Sequence, residues 1–366
     1  MNDNVTITKE ALTWLLRDEE SGRVVLLDVR EKAEFDRGHL EGAIHLPLGR
    51  LAQEVEALVP NKRARVVAYC AKGVRSKEAQ AKLAELGYRR ALSLAHGYEG
   101  WAAPVAAREG LSETEKLRYA RQVALPAFGA EGQVALRNAR VLVVGLGGLG
   151  SPVALYLAAA GVGTLGLVDA DEVELSNLQR QILHATPRVG SSKVESARRA
   201  VTDLNPTVRA IPHALRFDVE HGLALAAEYD VIVDGSDNFA TRNAISDVGC
   251  AKGVPVVHGA VHRLEGQCSV FVSERAAQKR SRLTSGPCYR CTFPVAPKGT
   301  PNCEEAGVLG SVCGVIGALM ATEVLKLLVP SLGAPMIGKL VLYDASACEV
   351  RTIAVSRRSS CTCTEV

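Results

Sequence analysis

The 366-residue sequence lacks a strong charge of either sign, since 43 lysines and arginines against 40 acidic residues leave a formal net charge of +3. That balance is too small to make nucleic acid or a membrane surface the main partner, although local positive sites remain open. A secretory signature is missing as well: MNDNVTITKEALTW, at 1–14, has no apolar core and no small-residue cleavage site. The uncharged stretch at 151–168 has the length of a membrane span, yet Gly161, Gly163 and Gly166 divide it into helix, turn and strand. No internal repeat is visible. With 47% hydrophobic and 23% charged residues the chain is not disordered either, and its length suits two domains. A cytoplasmic protein is expected. Its ten cysteines then read as catalytic, metal-binding or inert, not as disulfides.

What is present divides near 105–112. The first block alternates apolar strands (VVLLDV at 24–29, RVVAYC at 65–70, ALSLAHG from 91) with a helix at 76–86 that Gly87 caps. It predicts a compact α/β domain over residues 1–106, followed by a linker at 107–111. Ser112 and Glu115 form a capping box for a helix running through Leu125, and a second domain is expected over 112–366. There VLVVG, TLGLVDAD, YDVIVDGSDN and VPVVHGA alternate with helical segments, predicting a Rossmann-like, mostly parallel sheet covered on both faces. The basic segment SERAAQKRSRLTSG at 273–286 reads as a mobile, solvated loop.

GLGGLG at 145–150 follows a strand and contains Gly145, Gly147 and Gly150 in Gly-x-Gly-x-x-Gly spacing. Such a turn lets backbone N–H groups approach phosphates at a helix N-terminus. Asp169, at the end of the next strand, stands where a carboxylate can hold a ribose hydroxyl. Taken alone, these features admit an NAD(P)-dependent oxidoreductase. No Lys-Ser/Thr follows the loop, which excludes the Walker type. SNLQRQ at 176–181 and Lys193 shift the balance, because a triphosphate needs this density of cations to neutralise its β/γ charge and a dinucleotide does not. Asp237, in GSDN after another strand, is placed to hold magnesium. The bland alternative makes Arg180 and Lys193 surface charges.

The stretch RVLVVGLGGLGSPVALYLAAAGVGTLGLVDADEVELSNLQRQILH resembles the MoeB/ThiF family of adenylating enzymes, relatives of the ubiquitin-activating enzymes. RYARQ, VDGSDNFATRN, CYRC and NCEEAGV extend the resemblance from about Arg118 to the C-terminus. It implies ATP-dependent adenylation of the C-terminal glycine of a ubiquitin-like sulfur carrier ending in Gly-Gly, in the synthesis of molybdopterin, thiamine or another sulfur-containing product. By resemblance, Gly148 lies against the nucleotide and Asp169 holds the ribose. Asn177, Arg180 and Lys193 serve the phosphates, and Asp237, with Asn238 beside it, serves magnesium. Arg121 in RYARQ resembles an arginine that reaches across a homodimer, and Cys303 matches a cysteine in a loop above the site, a second candidate nucleophile. Adenylation itself needs no protein nucleophile, since the mixed anhydride with AMP already supplies a good leaving group.

Cys288 and Cys291 form a CxxC pair, and Cys361 and Cys363 a CxC pair three residues from the C-terminus. Four thiolates from two distant pairs can make a tetrahedral structural zinc site. The resemblance implies CxxC in both places, so CxC is a departure whose alternative outcome is a degraded site with free thiols. Cys250, Cys268, Cys313 and Cys348, among small or apolar residues, are expected in cores.

In the first block, LLDVRE, EFDRGHLEGAIHLPL, YCAKGVRS and HGYEGW resemble a single rhodanese domain. A loop from Cys70 to Arg75 that opens a helix aims N–H groups and positive charge at the sulfur, favouring a thiolate or persulfide. The Cys-x4-Arg spacing is one residue shorter than the phosphatase Cys-x5-Arg loop. Asp28 and Arg30 read as tethers for nearby loops. Combining both resemblances implies that a Cys70 persulfide, charged by a donor such as a cysteine desulfurase or thiosulfate, attacks the acyl-adenylate. An activator of protein conjugation and a non-enzymatic platform for ubiquitin-like proteins are the remaining alternatives.

Overall fold

The computed structural model describes residues 6–7, 12, 15–16, 24–36, 38–40, 42–98, 110–280, 282–294, 307–359, 361 and 363. They fall into two compact units, Met1–Ala106 and Ala107–Val366.

The first unit runs β1 (Thr6–Ile7), β2 (Val24–Asp28), α1 (Lys32–Asp36), β3 (Ile44–His45), α2 (Leu51–Leu58), β4 (Arg65–Tyr69), α3 (Val74–Glu85) and β5 (Ala91–Leu94). Its strands pair in the order β1-β5-β4-β2-β3, and every pairing is parallel. β2 and β4 are unbroken apolar runs because both faces are covered. Leu26, Val67 and Tyr69 enter one core, while Leu27, Val66 and Ala68 enter the other, the period-two alternation of a strand. Asp28 and Cys70 stand at the C-terminal ends of adjacent strands, where open α/β sheets carry their sites.

The second unit runs α4 (Glu113–Arg118), α5 (Ala120–Val123), α6 (Gly129–Asn138), β6 (Arg140–Val144), α7 (Gly150–Ala160), β7 (Thr164–Val168), α8 (Lys193–Leu204) and β8 (Arg209–His213). It continues through α9 (Val219–Ala226), β9 (Val231–Asp234), α10 (Phe239–Lys252), β10 (Val256–His262), β11 (Glu265–Phe271), α11 (Glu274–Lys279), α12 (Tyr289–Thr292), α13 (Gly310–Leu328), β12 (Lys339–Asp344) and β13 (Glu349–Ala354). The strand order is β13-β12-β11-β10-β9-β6-β7-β8. Pairing is parallel from β8 across to β10, then antiparallel through the wing β10–β13. The α7 and α13 helices are apolar on most faces because they pack on each other, and α13 also covers β10 and β11. Among the described residues α13 is the one helix long and apolar enough to cross a membrane, and half of it is buried in this core.

Two expectations change here. The capping box is present, with Ser112 Oγ accepting from the Glu115 N–H and Glu115 accepting from the Ser112 N–H, but the helix breaks at Tyr119 into α4 and α5. The segment at 273–286 is not a solvated loop: Ser273 caps α11, Ala276 is fully buried, and Arg280 donates to the Asp230 carbonyl. Its basic residues mask a short amphipathic helix.

Candidate functional site

The glycine loop connects β6 to α7, and tight packing explains its composition. A Cβ on Gly150 would lie 1.8 Å from the Gly145 carbonyl oxygen, which only glycine avoids. The loop opens onto a cavity of about 550 Å3 in the second unit. Gly145, Gly147, Gly148, Asp169, Asn177, Arg180, Lys193, Asp237 and Asn238 all line it. Gly150 lies behind the loop, and exposed Arg121 on α5 is not among the lining residues.

Electrostatics inside the cavity are organised around two acids and a lysine. Asp169 accepts the Leu146 N–H at 2.7 Å and the Asp171 N–H at 2.9 Å, which fixes it to the glycine loop. Burial raises its pKa, partly offset by Lys193. Lys193, 6% exposed, donates to Asp171 Oδ2 at 2.8 Å and lies 4.0 Å from Asp169. A buried ammonium held by one largely exposed carboxylate can turn to a phosphate at small cost. Arg180 makes one long bond, 3.3 Å to the Ser176 carbonyl, and Asp237 is exposed at the cavity edge.

Three further residues were not anticipated. Gln181 lines the cavity, and its buried Oε1 has no partner among the described residues. His184 fixes the loop from behind through Nε2 on the Leu146 carbonyl at 3.0 Å, with Nδ1 on Ser196 Oγ at 2.9 Å. Arg242 lines the wall beside Asp237. Gln181 and His184 stood in the quoted SNLQRQILH stretch, but neither residue type announces itself. Cys313, expected in a core, is buried yet lines the cavity, with its Sγ 2.9 Å from where a Cβ on Gly148 would be. Cys303 lies outside the described residues.

The C-terminal cysteines gather in one place. Cys288 Sγ lies 3.6 Å from both Cys291 and Cys361, and Cys361 lies 2.9 Å from Cys363. Cys288, Cys361 and Cys363 fall within 4.8 Å of one another, whereas Cys291, expected as the fourth ligand, is not part of that group and stands beside Cys288. Sulfurs on a tetrahedral zinc stand about 3.8 Å apart, so the donor set suits that ion, with the CxC pair drawn closer than a chelating pair would be. Cys250 is packed into the same cluster, not into an ordinary core. Its hydrogen bond to Cys288, first among several, pulls the Cys288 thiol below its ordinary value. Cys268 is fully buried as expected, whereas Cys348 is exposed in the β12–β13 turn with φ +56°.

In the first unit Cys70 is 1% exposed and its Sγ accepts the Gly73 N–H at 3.1 Å. Gly73, at φ +91°, turns the chain into α3. Ser76 Oγ stands 3.7 Å from the sulfur and accepts from Ser93 Oγ at 2.9 Å, leaving its own hydroxyl hydrogen for Cys70. Burial pushes the thiol up, but the Ser76 hydroxyl and the N–H groups of Ser76, Lys72 and Gly73 outweigh it, and the net shift is downward. Arg75 donates to Glu34 at 2.7 and 2.9 Å while also lying beside Cys70. Arg30 grips Asp28 and donates to the Gly38 carbonyl at 2.7 Å, tying β2 to the loop after α1.

A cysteine cradled by backbone N–H groups and a cavity at a glycine loop invite comparison with known proteins. The ThiF family profile matches residues 119–364. The chain belongs to the ThiF family. A rhodanese-like domain matches residues 11–104, placing that domain ahead of the family region. An adenylyltransferase and sulfurtransferase MOCS3 from Drosophila grimshawi is 46% identical over 254 residues, 69% of this chain and 54% of that protein. A probable adenylyltransferase/sulfurtransferase MoeZ from Mycobacterium tuberculosis is 44% identical over 68% of this chain and 62% of its own length. The chain thus spans little more than half of these two relatives. A sulfur carrier protein adenylyltransferase from Thermus thermophilus is 45% identical over 67% of this chain and 89% of its own length. Among solved structures, E. coli MccB with MccA-N7isoASN superposes with a TM-score of 0.58 at 24% identity, over 68% of this chain and 74% of that one, and shares the fold.

Proposed function

We propose that this chain adenylates the C-terminal glycine of a ubiquitin-like sulfur-carrier protein and then delivers sulfur to it from Cys70. One observation carries the reading: a single cavity collects the glycine loop, Asp169, Asn177, Arg180, Lys193 and Asp237. In this reading residues 112–366 adenylate, residues 1–106 transfer sulfur, and 107–111 link them. A carrier carboxylate oxygen attacks the α-phosphorus of ATP, the α–β anhydride bond breaks, and pyrophosphate leaves. Lys193 turns from Asp171 to the phosphates, Arg180 joins it, and Asp169 orients the ribose. Magnesium held by Asp237 would neutralise phosphate charge.

The terminal sulfur of a Cys70 persulfide then attacks the acyl carbon and AMP departs, leaving an acyl disulfide. An external thiolate attacks the Cys70 sulfur. The carrier thiocarboxylate is released, and an external thiol reduces the resulting disulfide. Backbone N–H groups at the start of α3 suit an anionic persulfide. Cys288, Cys291, Cys361 and Cys363 would hold structural zinc and pin the C-terminal tail. The protein works in the cytoplasm as a homodimer, with Arg121 serving the partner's cavity, and a cysteine desulfurase or thiosulfate charges Cys70.

Intact-mass analysis of carriers ending in Gly-Gly, incubated with MgATP and a sulfur donor, tests the proposal. A mass gain of about 16 Da marks the thiocarboxylate, sulfur replacing oxygen. Cys70→Ser should abolish that gain and keep ATP–pyrophosphate exchange. Loss of exchange in a folded Cys70→Ser protein would refute separate roles for the two units.

A further inference from the structure

Behind the cavity wall, β9 ends at Asp234, which is buried, and β10 sets His258 opposite it in register. Asp234 Oδ2 accepts from His258 Nδ1 at 2.7 Å. Its other oxygen accepts Ser236 Oγ at 2.6 Å and the Ser236 N–H at 3.1 Å. From the opposite side, Arg242 donates to the Ser236 carbonyl through Nη2 at 3.1 Å and Nε at 3.3 Å. A buried carboxylate and a buried guanidinium thus grip one residue, and Asp237 is the next in the chain. An ordinary surface turn needs no such pair, because each buried charge carries a desolvation penalty that its partners must offset.

The imidazole itself is fully buried, and its Nε2 has no partner among the described residues. It is ringed by Tyr289 edge-on at 5.1 Å, Phe293 at 5.7 Å and Phe271 at 5.8 Å. Because the carboxylate accepts, Nδ1 carries the hydrogen and Nε2 keeps a lone pair facing the rings. Tyr289, held between Cys288 and Cys291, also has Arg242 as the side-chain neighbour of its hydroxyl. It therefore touches Arg242, which grips Ser236, and His258, which holds Asp234.

We infer that Asp234, His258, Arg242 and Tyr289 are positioning residues that hold the Ser236–Asp237 turn in the geometry a magnesium–nucleotide complex requires. The inference rests on the reading of Asp237 as the residue serving that complex. His258 acts as a rigid donor that keeps Asp234 ionised and aimed at Ser236, and Tyr289 closes the shell around both.

The test is calorimetric binding of α,β-methylene-ATP to the full chain across a magnesium series, with thermal unfolding measured in parallel. His258→Leu fills the ring's space but removes the donor; His258→Asn restores an N–H near the Nδ1 position. Losing one hydrogen bond to a buried charge predicts about tenfold weaker magnesium-dependent binding in His258→Leu, with magnesium-free binding unchanged, and affinity within about threefold of wild type in His258→Asn. Tyr289→Phe keeps the ring and should weaken the same binding by about two- to fivefold, which decides the matter if His258→Leu does not fold. Wild-type affinity in His258→Leu beside a weakened Asp237→Asn overturns the positioning role alone. Equal losses in His258→Leu and His258→Asn overturn it too, because packing would then be the cause. Unchanged magnesium-dependent binding in Asp237→Asn removes the reading underneath it.

Discussion

Two loops in this molecule have the same construction and opposite contents. Each follows a central, doubly covered parallel strand and leads into a helix: Tyr69 through Cys70 and Gly73 into α3, and Val144 through GLGGLG into α7. The first points backbone N–H groups at a side chain of its own, the Cys70 sulfur. The second carries no functional side chain, and its cavity is completed by Asp169, Arg180, Lys193 and Asp237 from distant segments. In the proposed function the difference follows from the cargo. A sulfur atom that must be carried is bound covalently and needs one residue in a small cradle. A nucleotide that must be released is bound by many weak contacts collected along a sheet edge.

This contrast can be attacked from either loop. The largest effect is expected from Lys193→Ala, which removes the buried ammonium: exchange activity should fall by about a hundredfold to a thousandfold while Cys70 persulfide formation stays unchanged. A parallel fall in both would mean that the two loops are not independent. Next comes Gly150→Ala. Its added Cβ meets the Gly145 carbonyl at 1.8 Å, so the second unit should lose about 1–3 kcal/mol in urea unfolding, with the transition of the first unit unmoved. The smallest effect is expected at Glu34→Gln. The Arg75 hydrogen bond, ahead of the burial that opposes it, holds the Glu34 carboxyl down at about 2. The folded pKa lies below the unfolded one, so the pair's contribution is complete above about pH 4.5 and is lost as pH falls through 2. Removing that carboxylate leaves Arg75 uncompensated beside Cys70, and alkylation at pH 7 should quicken by roughly two- to threefold. Slower alkylation would show that Glu34 is needed to aim Arg75.

The asymmetry also explains what could be read from the sequence. Cys70, Gly73 and Arg75 lie within six residues, so the cradle is local and its spacing is legible. The cavity was legible in part, from carboxylates at strand ends (Asp169, Asp237) and the cations of SNLQRQ and Lys193, while the resemblance supplied Gly148 and Asn177 and the division of roles, since no spacing rule connects Gly145 with Asp237. Gln181 and His184 act through burial and through bonds to backbone, which polar residues elsewhere make without consequence. Cys250 looked like any small apolar position, and only the fold brings it 38 residues along the chain to Cys288. The helix at α11 was hidden because four of its six residues are polar and its one fully buried side chain is an alanine.

The histidine behind the glycine loop has a consequence in proton linkage. His184 is 6% exposed, and burial, opposed by its bond to the Leu146 carbonyl, pushes its pKa from 6.5 down to about 4. The unfolded chain therefore binds a proton below pH 6.5 that the folded chain refuses until about pH 4. Stability must fall across that interval, by about 3 kcal/mol once pH reaches 4. The glycine loop is thus also an acid-sensitive latch, secure near neutrality and weakening with each step of acidification.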